Sequence, residues 1–255
     1  MNRDAAERVA QWLATAEKPV VFTGAGMSTE SGIPDFRSPG GIWTKYRTVY
    51  FDEFLESAAA RHEYWRQKSA GHREFASAQP NSGHRVIARW ESISFIHGVI
   101  TQNIDGLHQI AGNQNVLELH GTAREIMCLD CGARCDTEAM VQEFLRTDRV
   151  PRCAACANGR LKHATISFGQ GLPVQVLENA VAWCENSGLL LAVGSSLVVT
   201  PAADLPALTK RQGGRLVIIN RDATPLDGLA DEVIHASIGD TLSTIDSYRG
   251  EGLSA

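Results

Sequence analysis

Three sets of residues in this 255-residue chain have the types and spacing for chemistry. The first is the run Val20-Val21-Phe22-Thr23-Gly24-Ala25-Gly26-Met27-Ser28. A β-branched apolar segment that stops at Gly-x-Gly before small hydroxyl residues is a phosphate-cradling turn. Backbone N–H groups approach an anion where side chains are missing, and a helix start behind the turn adds its positive dipole end. The match to the dinucleotide fingerprint is partial. Thr29 holds the third glycine position, and no β-type run leads into Asp52 or Glu53, the acidic residues nearest the expected distance. Gly32 and Pro34 then interrupt any long helix, so an ordinary dehydrogenase crossover does not follow.

The second set is Cys128-Leu129-Asp130-Cys131 and Cys153-Ala154-Ala155-Cys156, two CxxC knuckles separated by 21 residues. Zinc takes four soft ligands in a tetrahedron, and each knuckle supplies two thiolates at the right bite. Four protein ligands leave no open position, so the expected Zn2+ is structural. Cys135 lies close enough to compete and is expected to be a free thiol, and Cys184, in an apolar helix, to be core. A zinc ribbon can also bind nucleic acid. Here Arg134, Asp136, Glu138, Arg149 and Arg152 mix the flanking charge, which favours a scaffold.

The third set is a series of polar strand ends: Thr23-Gly24-Ala25-Gly26, Thr101-Gln102-Asn103-Ile104-Asp105-Gly106, Leu119-His120-Gly121, Gly194-Ser195-Ser196 and Asn220-Arg221-Asp222. Any one of them alone reads as a turn or a cap. Five together make a crevice of neutral donors and acceptors beyond the carboxyl ends of the strands, which suits a nucleotide with two riboses. His120 is the best general base, since neutral imidazole near pH 7 suits deprotonation of a hydroxyl. The other histidines (62, 72, 84, 97, 108, 163 and 235) read as surface or core, and no nucleophile elbow or Cys–His pair competes.

These groups need a scaffold, and the pattern supplies one. Residues 4–17 form an amphipathic helix through Val9, Trp12, Leu13 and Ala16, ended by Pro19. Residues 44–78 are helical and aromatic-rich, and 84–91, 137–146, 173–184 and 201–212 are further helices. Strands are expected at 20–23, 95–101, 116–120, 164–168, 188–194, 215–220 and 231–235. Several strands are apolar on both faces and alternate with helices, which means an α/β fold with a parallel sheet wrapped by helices on both faces. The expected units are 1–43, 80–123 and 163–255 as the large domain, with a helical module at 44–79 and a zinc-ribbon module at 124–162 as the small one.

Composition narrows the partners. Hydrophobic residues make up 44% and charged residues 21%, the balance of a globular chain with a real core. A net charge of -5 argues against phosphate-driven nucleic-acid binding, while an acidic surface attracts basic peptides. The N-terminus is charged without a signal-peptide apolar run, and no stretch approaches a membrane span of about 20 residues. A cytoplasmic, monomeric protein without membrane or nucleic-acid partners is the expectation.

Taken in order, Gly24-Ala25-Gly26-Met27-Ser28, Gly32-Ile33-Pro34-Asp35-Phe36-Arg37, Thr101-Gln102-Asn103-Ile104-Asp105, Leu119-His120-Gly121, the two CxxC pairs, Phe168-Gly169 and Val193-Gly194-Ser195-Ser196-Leu197 resemble the sirtuins, NAD-dependent protein-lysine deacylases. The resemblance covers roughly residues 18–240. It implies a Rossmann-like domain, a small domain of zinc ribbon and helical module, and a cleft between them for NAD as co-substrate and an acyl-lysine peptide. The acyl oxygen would attack the anomeric carbon of the nicotinamide ribose, releasing nicotinamide. His120 would then deprotonate a ribose hydroxyl for attack on the acyl carbon, giving O-acyl-ADP-ribose and free lysine.

By the same resemblance, His120, Asn103 and Asp105 are catalytic, the latter two holding ribose, a water and the nicotinamide carboxamide. Ser28, Asp35, Phe36 and Arg37 would belong to a loop over the cofactor. Gly24, Ala25, Gly26, Gln102, Ile104, Gly194, Ser195 and Ser196 would face NAD, with Asn220, Arg221 and Ile238 at its adenosine end. The peptide would add as a strand along Ile166, Phe168 and Gly169 on one side and Leu197 and Val198 on the other. Two departures bear on substrate. Gln170 replaces a glutamate of the family's pattern, removing a carboxylate near the peptide groove. The Tyr-x-x-Arg of succinyl-removing members is absent, since Gln67 follows Tyr64 and Lys68 follows Trp65, which leans toward acetyl or other neutral acyl groups while Lys68 keeps the question open. The alternative activity is mono-ADP-ribosyl transfer from the same site.

Overall fold

A computed structural model of the protein describes residues 3–35, 41 and 46–249. The chain opens with α1 (Arg3–Thr15), β1 (Val20–Thr23) and a 3-10 segment, Ala25–Ser31. Three helices follow, α2 (Phe51–Glu56), α3 (Ala58–Ala70) and α4 (His72–Ser77). Next come α5 (Ser82–Ser92), β2 (Gly98–Thr101), α6 (Leu107–Ala111) and β3 (Val116–Glu118). An insert comprises β4 (Gly121–Cys128), β5 (Arg134–Asp136), α7 (Thr137–Thr147) and β6 (Leu161–Thr165). The chain returns through α8 (Val174–Glu185), β7 (Leu189–Val193), α9 (Leu205–Arg211), β8 (Arg215–Ile219), β9 (Glu232–Ile234) and α10 (Ile238–Tyr248).

Six strands make one sheet in the order β3-β2-β1-β7-β8-β9, and every pair in it is parallel. Adjacent residues of a strand point to opposite faces. Val21, Val99, Leu191, Val193, Val217 and Ile219 therefore pack on one side with Val9 and Leu13 of α1, Val86 and Trp90 of α5, and Leu242 and Ile245 of α10. Phe22, Ile100, Leu190, Ala192, Leu216 and Ile218 pack on the other with Ala180 and Cys184 of α8 and Leu205 of α9. That two-sided burial is why these strands read as continuous apolar runs. Cys184 is core, as its helix suggests.

The strand expected at 164–168 differs. It begins at Leu161, ends at Thr165, and pairs antiparallel with β4, so it belongs to a second sheet ordered β5-β4-β6. The helical segment and this sheet share one core: Phe54, Tyr64 and Trp65 pack with Ile126, Val141, Phe144 and Leu161, and Trp65 Nε1 donates to the Leu161 carbonyl at 3.0 Å. Ser57 starts α3 by accepting from Ala60 N, and Asn81 starts α5 by accepting from His84 N.

The fold's crossing point lies between β1 and β7. From β1 the chain works outward to β3 on one side, and after the insert it returns to β7 on the other. The turns after both strands leave together, and they touch backbone to backbone. Gly26 N donates to the Gly194 carbonyl at 2.8 Å and Gly24 N to the Val193 carbonyl at 3.1 Å. Gly194 has a φ of 63°, and a Cβ there would stand 2.3 Å from Met27 N. Gly194→Ala should therefore lower stability by at least about 2 kcal/mol, from left-handed strain and overpacking together. Urea unfolding checks this, and an unchanged midpoint would contradict the close packing.

Candidate active site

A cavity of ≈ 880 Å³ opens at this crossing point, between the carboxyl ends of the parallel strands and the segments that carry the second sheet. Of the expected site residues, Ala25, Gly26, Asp35, Gln102, Asn103, Ile104, His120, Gly194, Ser195, Ser196, Asn220, Arg221 and Ile238 line it. Ile166, Phe168 and Gly169 line it from the loop after β6. Gly24, Ser28, Asp105, Leu197 and Val198 are not among its lining residues. Phe36 and Arg37 lie outside the described residues. Leu197 is core, whereas Val198 is exposed at the surface. The glycine turn also differs from its first reading. Gly24 and Gly26 give their own N–H groups to the β7 turn, so the missing side chains serve loop-on-loop packing.

His120 follows β3 and precedes β4. Its Nδ1 lies 2.9 Å from the Gln102 carbonyl oxygen, which can only accept. Nδ1 therefore carries the proton, and Nε2 keeps its lone pair for the cavity. Burial lowers the pKa from the ordinary value of 6.5, and the hydrogen bond to Gln102 opposes that only in part. A neutral imidazole with a fixed tautomer is the form a general base needs.

Gln102 joins three elements. Its N donates to the Thr23 carbonyl at 2.9 Å, its carbonyl accepts from His120, and its Oε1 accepts from Ser195 Oγ at 2.7 Å. Asn103 gives its side-chain N–H groups to the Gly24 carbonyl (3.0 Å) and Ser28 Oγ (3.2 Å), so its carbonyl oxygen is the group left for a ligand. Asp105 and Ser28 stand behind this wall. Ser28 Oγ donates to Asp105 Oδ2 at 2.7 Å, and Leu107 N donates to Oδ1 at 2.9 Å. Beneath them Thr23 Oγ1 donates to Thr101 Oγ1 at 2.8 Å and lies 3.0 Å from His108 Nε2. Burial, with the neighbouring His84, pushes the His108 pKa down to about 3, so this histidine is a neutral structural donor.

Several lining residues carried no motif. Glu30 accepts from Ser237 Oγ and Gly239 N, both at 3.1 Å, which fixes the start of α10 beside the cavity. Val49 reaches it from the helical segment, as do Tyr64, Gln67 and Lys68, the positions compared above with the Tyr-x-x-Arg pattern. Aromatic and apolar residues at helical spacing announce a core, and no spacing rule separates the few that face a cleft from the many that pack.

The four knuckle cysteines converge. Their Sγ atoms all lie within 4.8 Å of one another, with Cys128 3.8 Å from Cys156 and Cys131 3.7 Å from Cys153. A tetrahedron with Zn–S bonds of 2.3 Å has edges of about 3.8 Å, so the residues fit zinc. Cys135, in β5 opposite Ile126, is outside the cluster. Gly159 closes the site from above, since a Cβ there would stand 2.2 Å from Cys128 Sγ.

Comparison with known proteins gives a consistent result. A sequence profile of the Sir2 family matches residues 24–201. An NAD-dependent protein deacetylase of Rhodopseudomonas palustris is 45% identical over 92% of this chain and 94% of its own length. NAD-dependent protein deacetylase 1 of Bradyrhizobium diazoefficiens is 47% identical over 94% of each chain. A solved structure described as a Sir2–p53 peptide–NAD+ complex superposes with a TM-score of 0.87 at 35% identity, covering 96% of this chain and 98% of the other. Another, described as Sir2 bound to acetylated peptide, gives 0.88 at 34% identity over 98% and 99%.

The thiol cluster makes a direct prediction. The purified protein should hold one equivalent of zinc, and Cys128→Ser should lose both the metal and several kcal/mol of stability, because the metal closes the core that Cys128 shares with Trp65 and Ile126. Metal analysis and thermal melting check this, and full zinc with unaltered melting in the variant would refute it.

Proposed function

The chain belongs to the Sir2 family, and on that premise we propose that it is an NAD-dependent protein-lysine deacylase that transfers the acyl group to ADP-ribose. The observation that carries the reading is His120, held in one tautomer by the Gln102 carbonyl with Nε2 toward the cavity. NAD is the co-substrate that supplies an electrophilic ribose carbon when nicotinamide leaves. This chain's residues do the rest. His120 Nε2 takes the proton of a ribose hydroxyl. The free carbonyl oxygen of Asn103 orients a donor on the nicotinamide side, and Asp105, through Ser28, holds that wall in register. Ser195 and Ser196, beside the glycine turn, offer hydroxyls to the phosphates and ribose, and Asn220, Arg221 and Ile238 line the end where the adenosine would lie. Asp35, a lining residue, would contribute to the cover over the cofactor.

The peptide would lie as a strand against the loop 166–169, with Leu197 and Val198 opposite. Phe51 N already donates to the Phe168 carbonyl at 2.9 Å, tying this loop to the helical segment. Acyl-lysine proteins are the partners on this reading. Among the described residues no helix is long and apolar enough to cross a membrane. None of the six cysteines is in a disulfide, which suits a reducing compartment such as the cytoplasm, where we place the protein.

Incubation with NAD and an acetyl-lysine peptide should release nicotinamide and free lysine in equal amounts, and His120→Ala should lose at least about 100-fold in rate, as removal of a general base does. Mass spectrometry reads both products. Label retained on protein instead of O-acetyl-ADP-ribose would favour ADP-ribosyl transfer, and equal rates in wild type and variant would remove His120 as the base. The lowered pKa of His120 sets the sign of the pH dependence. The base is neutral above its pKa, so the acidic limb of kcat/KM should have its midpoint below 6.5. A midpoint above 7 in the wild-type profile would contradict the assignment.

A further inference from the structure

The loop 102–106, which bears Asn103 and Asp105, is held from two sides. From the large sheet, the Thr23 carbonyl accepts from Gln102 N at 2.9 Å and Thr101 Oγ1 accepts from Asn103 N at 3.0 Å. From β4, Ala123 N donates to the Ile104 carbonyl at 2.8 Å, and Arg124 Nε donates to the carbonyl of Asp105. The arm of Arg124 lies on the bare backbone of Gly106, whose φ is 66°. A Cβ at Gly106 would stand 2.7 Å from Arg124 Nε and 2.8 Å from its Cδ, so a side chain there would displace the guanidinium. Further along the same strand, β4 delivers Cys128 to the thiol cluster.

The neighbouring carboxylates are engaged elsewhere. Both oxygens of Asp105 are taken, Oδ2 by Ser28 Oγ and Oδ1 by Leu107 N. Glu125, the next residue of β4, pairs with Arg134. Burial raises the pKa of Glu118, and a hydrogen bond from Gln109 opposes that. Arg124 Nη2 is itself buried, and no described residue accepts from it. A buried N–H without an acceptor costs free energy, and an apolar side chain of similar length would fill the seat without that penalty. The stability of β4 therefore does not account for a guanidinium here. The Asp105 carbonyl does.

We infer that Arg124 is a positioning residue of the acyl transfer: by fixing the Asp105 carbonyl it keeps the Ser28–Asn103 wall in register and ties the loop 102–106 to the sheet that bears the thiol cluster. The inference rests on the deacylase reading and adds a residue to its machinery. The linkage runs through few atoms. Turning the peptide plane between Asp105 and Gly106 away from Arg124 carries the Asp105 carboxylate with it. Ser28 Oγ then loses its acceptor at 2.7 Å. Asn103 Nδ2, 3.2 Å from that Oγ, loses one of the two partners that orient its amide. The carbonyl oxygen of Asn103 is then no longer held toward the nicotinamide side. The peptide contacts on the loop 166–169 are not part of this chain of bonds, so turnover and not peptide affinity carries the effect.

Two measurements on the full-length, zinc-loaded protein test this. Amide hydrogen exchange of residues 102–107 needs no substrate, and nicotinamide release from NAD and an acetyl-lysine peptide gives kcat and KM. Loss of a charge-assisted hydrogen bond in Arg124→Met should speed exchange of this segment about tenfold and lower kcat about tenfold. The peptide KM and the zinc content should not change. Arg124→Lys, which keeps a cationic donor, should recover most of both losses. Wild-type exchange and kcat in Arg124→Met, a raised peptide KM with kcat unchanged, or a lysine variant no better than the methionine one overturns the inference. Exchange speeded throughout the protein, or failure of Arg124→Met to fold, also overturns it, since the residue would then serve stability. Exchange that depends on Arg124 in a protein releasing no nicotinamide with any acyl peptide removes the deacylase reading and leaves Arg124 as the clamp of the loop.

Discussion

The contact between the Gly26 N–H and the Gly194 carbonyl holds the rest of the site in place. It joins the turns after β1 and β7, the two strands between which the sheet reverses its direction of growth. Open α/β sheets bind ligands where the strand order reverses, because the turns there diverge to opposite faces and leave a crevice. Here the crevice is closed at its base by loop packing that only glycine allows. A side chain at Gly24 would meet Ser195 Cβ at 2.7 Å, and one at Gly26 would meet Gly194 Cα at 2.9 Å. Ser195 is thereby brought within 2.7 Å of Gln102, and Gln102 in turn fixes the imidazole of His120. Nucleotide pocket and base share one hydrogen-bonded chain of parts.

The second sheet contributes more than a place for zinc. Ala123 N donates to the Ile104 carbonyl at 2.8 Å, Ile166 N donates to the His120 carbonyl at 2.8 Å, and Arg124 Nε reaches the Asp105 carbonyl. The loop that bears Asn103 and Asp105 is therefore docked along β4 on one side and along β2 and the β1 turn on the other. Trp65, Phe144 and Ile126 link that sheet to α3 in a single core that Cys128 and Cys153 also enter. Metal, aromatic packing and site geometry are mechanically continuous, although no zinc ligand touches the cavity.

Much of this was legible in the chain, and for physical reasons. Two-sided burial makes β1, β7 and β8 continuous apolar runs, and the CxxC pairs can do little else at their spacing. His120 stood out because it ends a strand in company with other polar strand ends. The rest depends on contacts distant in sequence. Nothing local assigns β6, five buried residues of mixed polarity, to one sheet or the other, since its antiparallel partner lies some 40 residues upstream. Ser28 and Asp105 carry the right types for ligand contact, yet each satisfies the other across 77 positions of chain. The glycines at 24 and 26 show the same dependence: the neighbour they approach closely is the turn at 194.

The cleft is electrically graded, and the gradient follows from what each end must meet. Next to His120 the polar groups are the amides of Gln102 and Asn103 and the hydroxyl of Ser195, while Glu30, Asp35, Arg221 and Asp222 bring both signs of charge to other parts of the lining. At the inner end an ammonium borders an apolar wall with backbone carbonyls and a second ammonium behind it. Nothing in the fold requires a cation there. Trp65 and Phe144 form the core beside it without charge, and Lys162 is a fully buried residue whose place in β6 an apolar side chain would fill more stably. Lys68 in the lining and Lys162 behind it stand on the same Tyr64 ring, each 5.8 Å from its centroid.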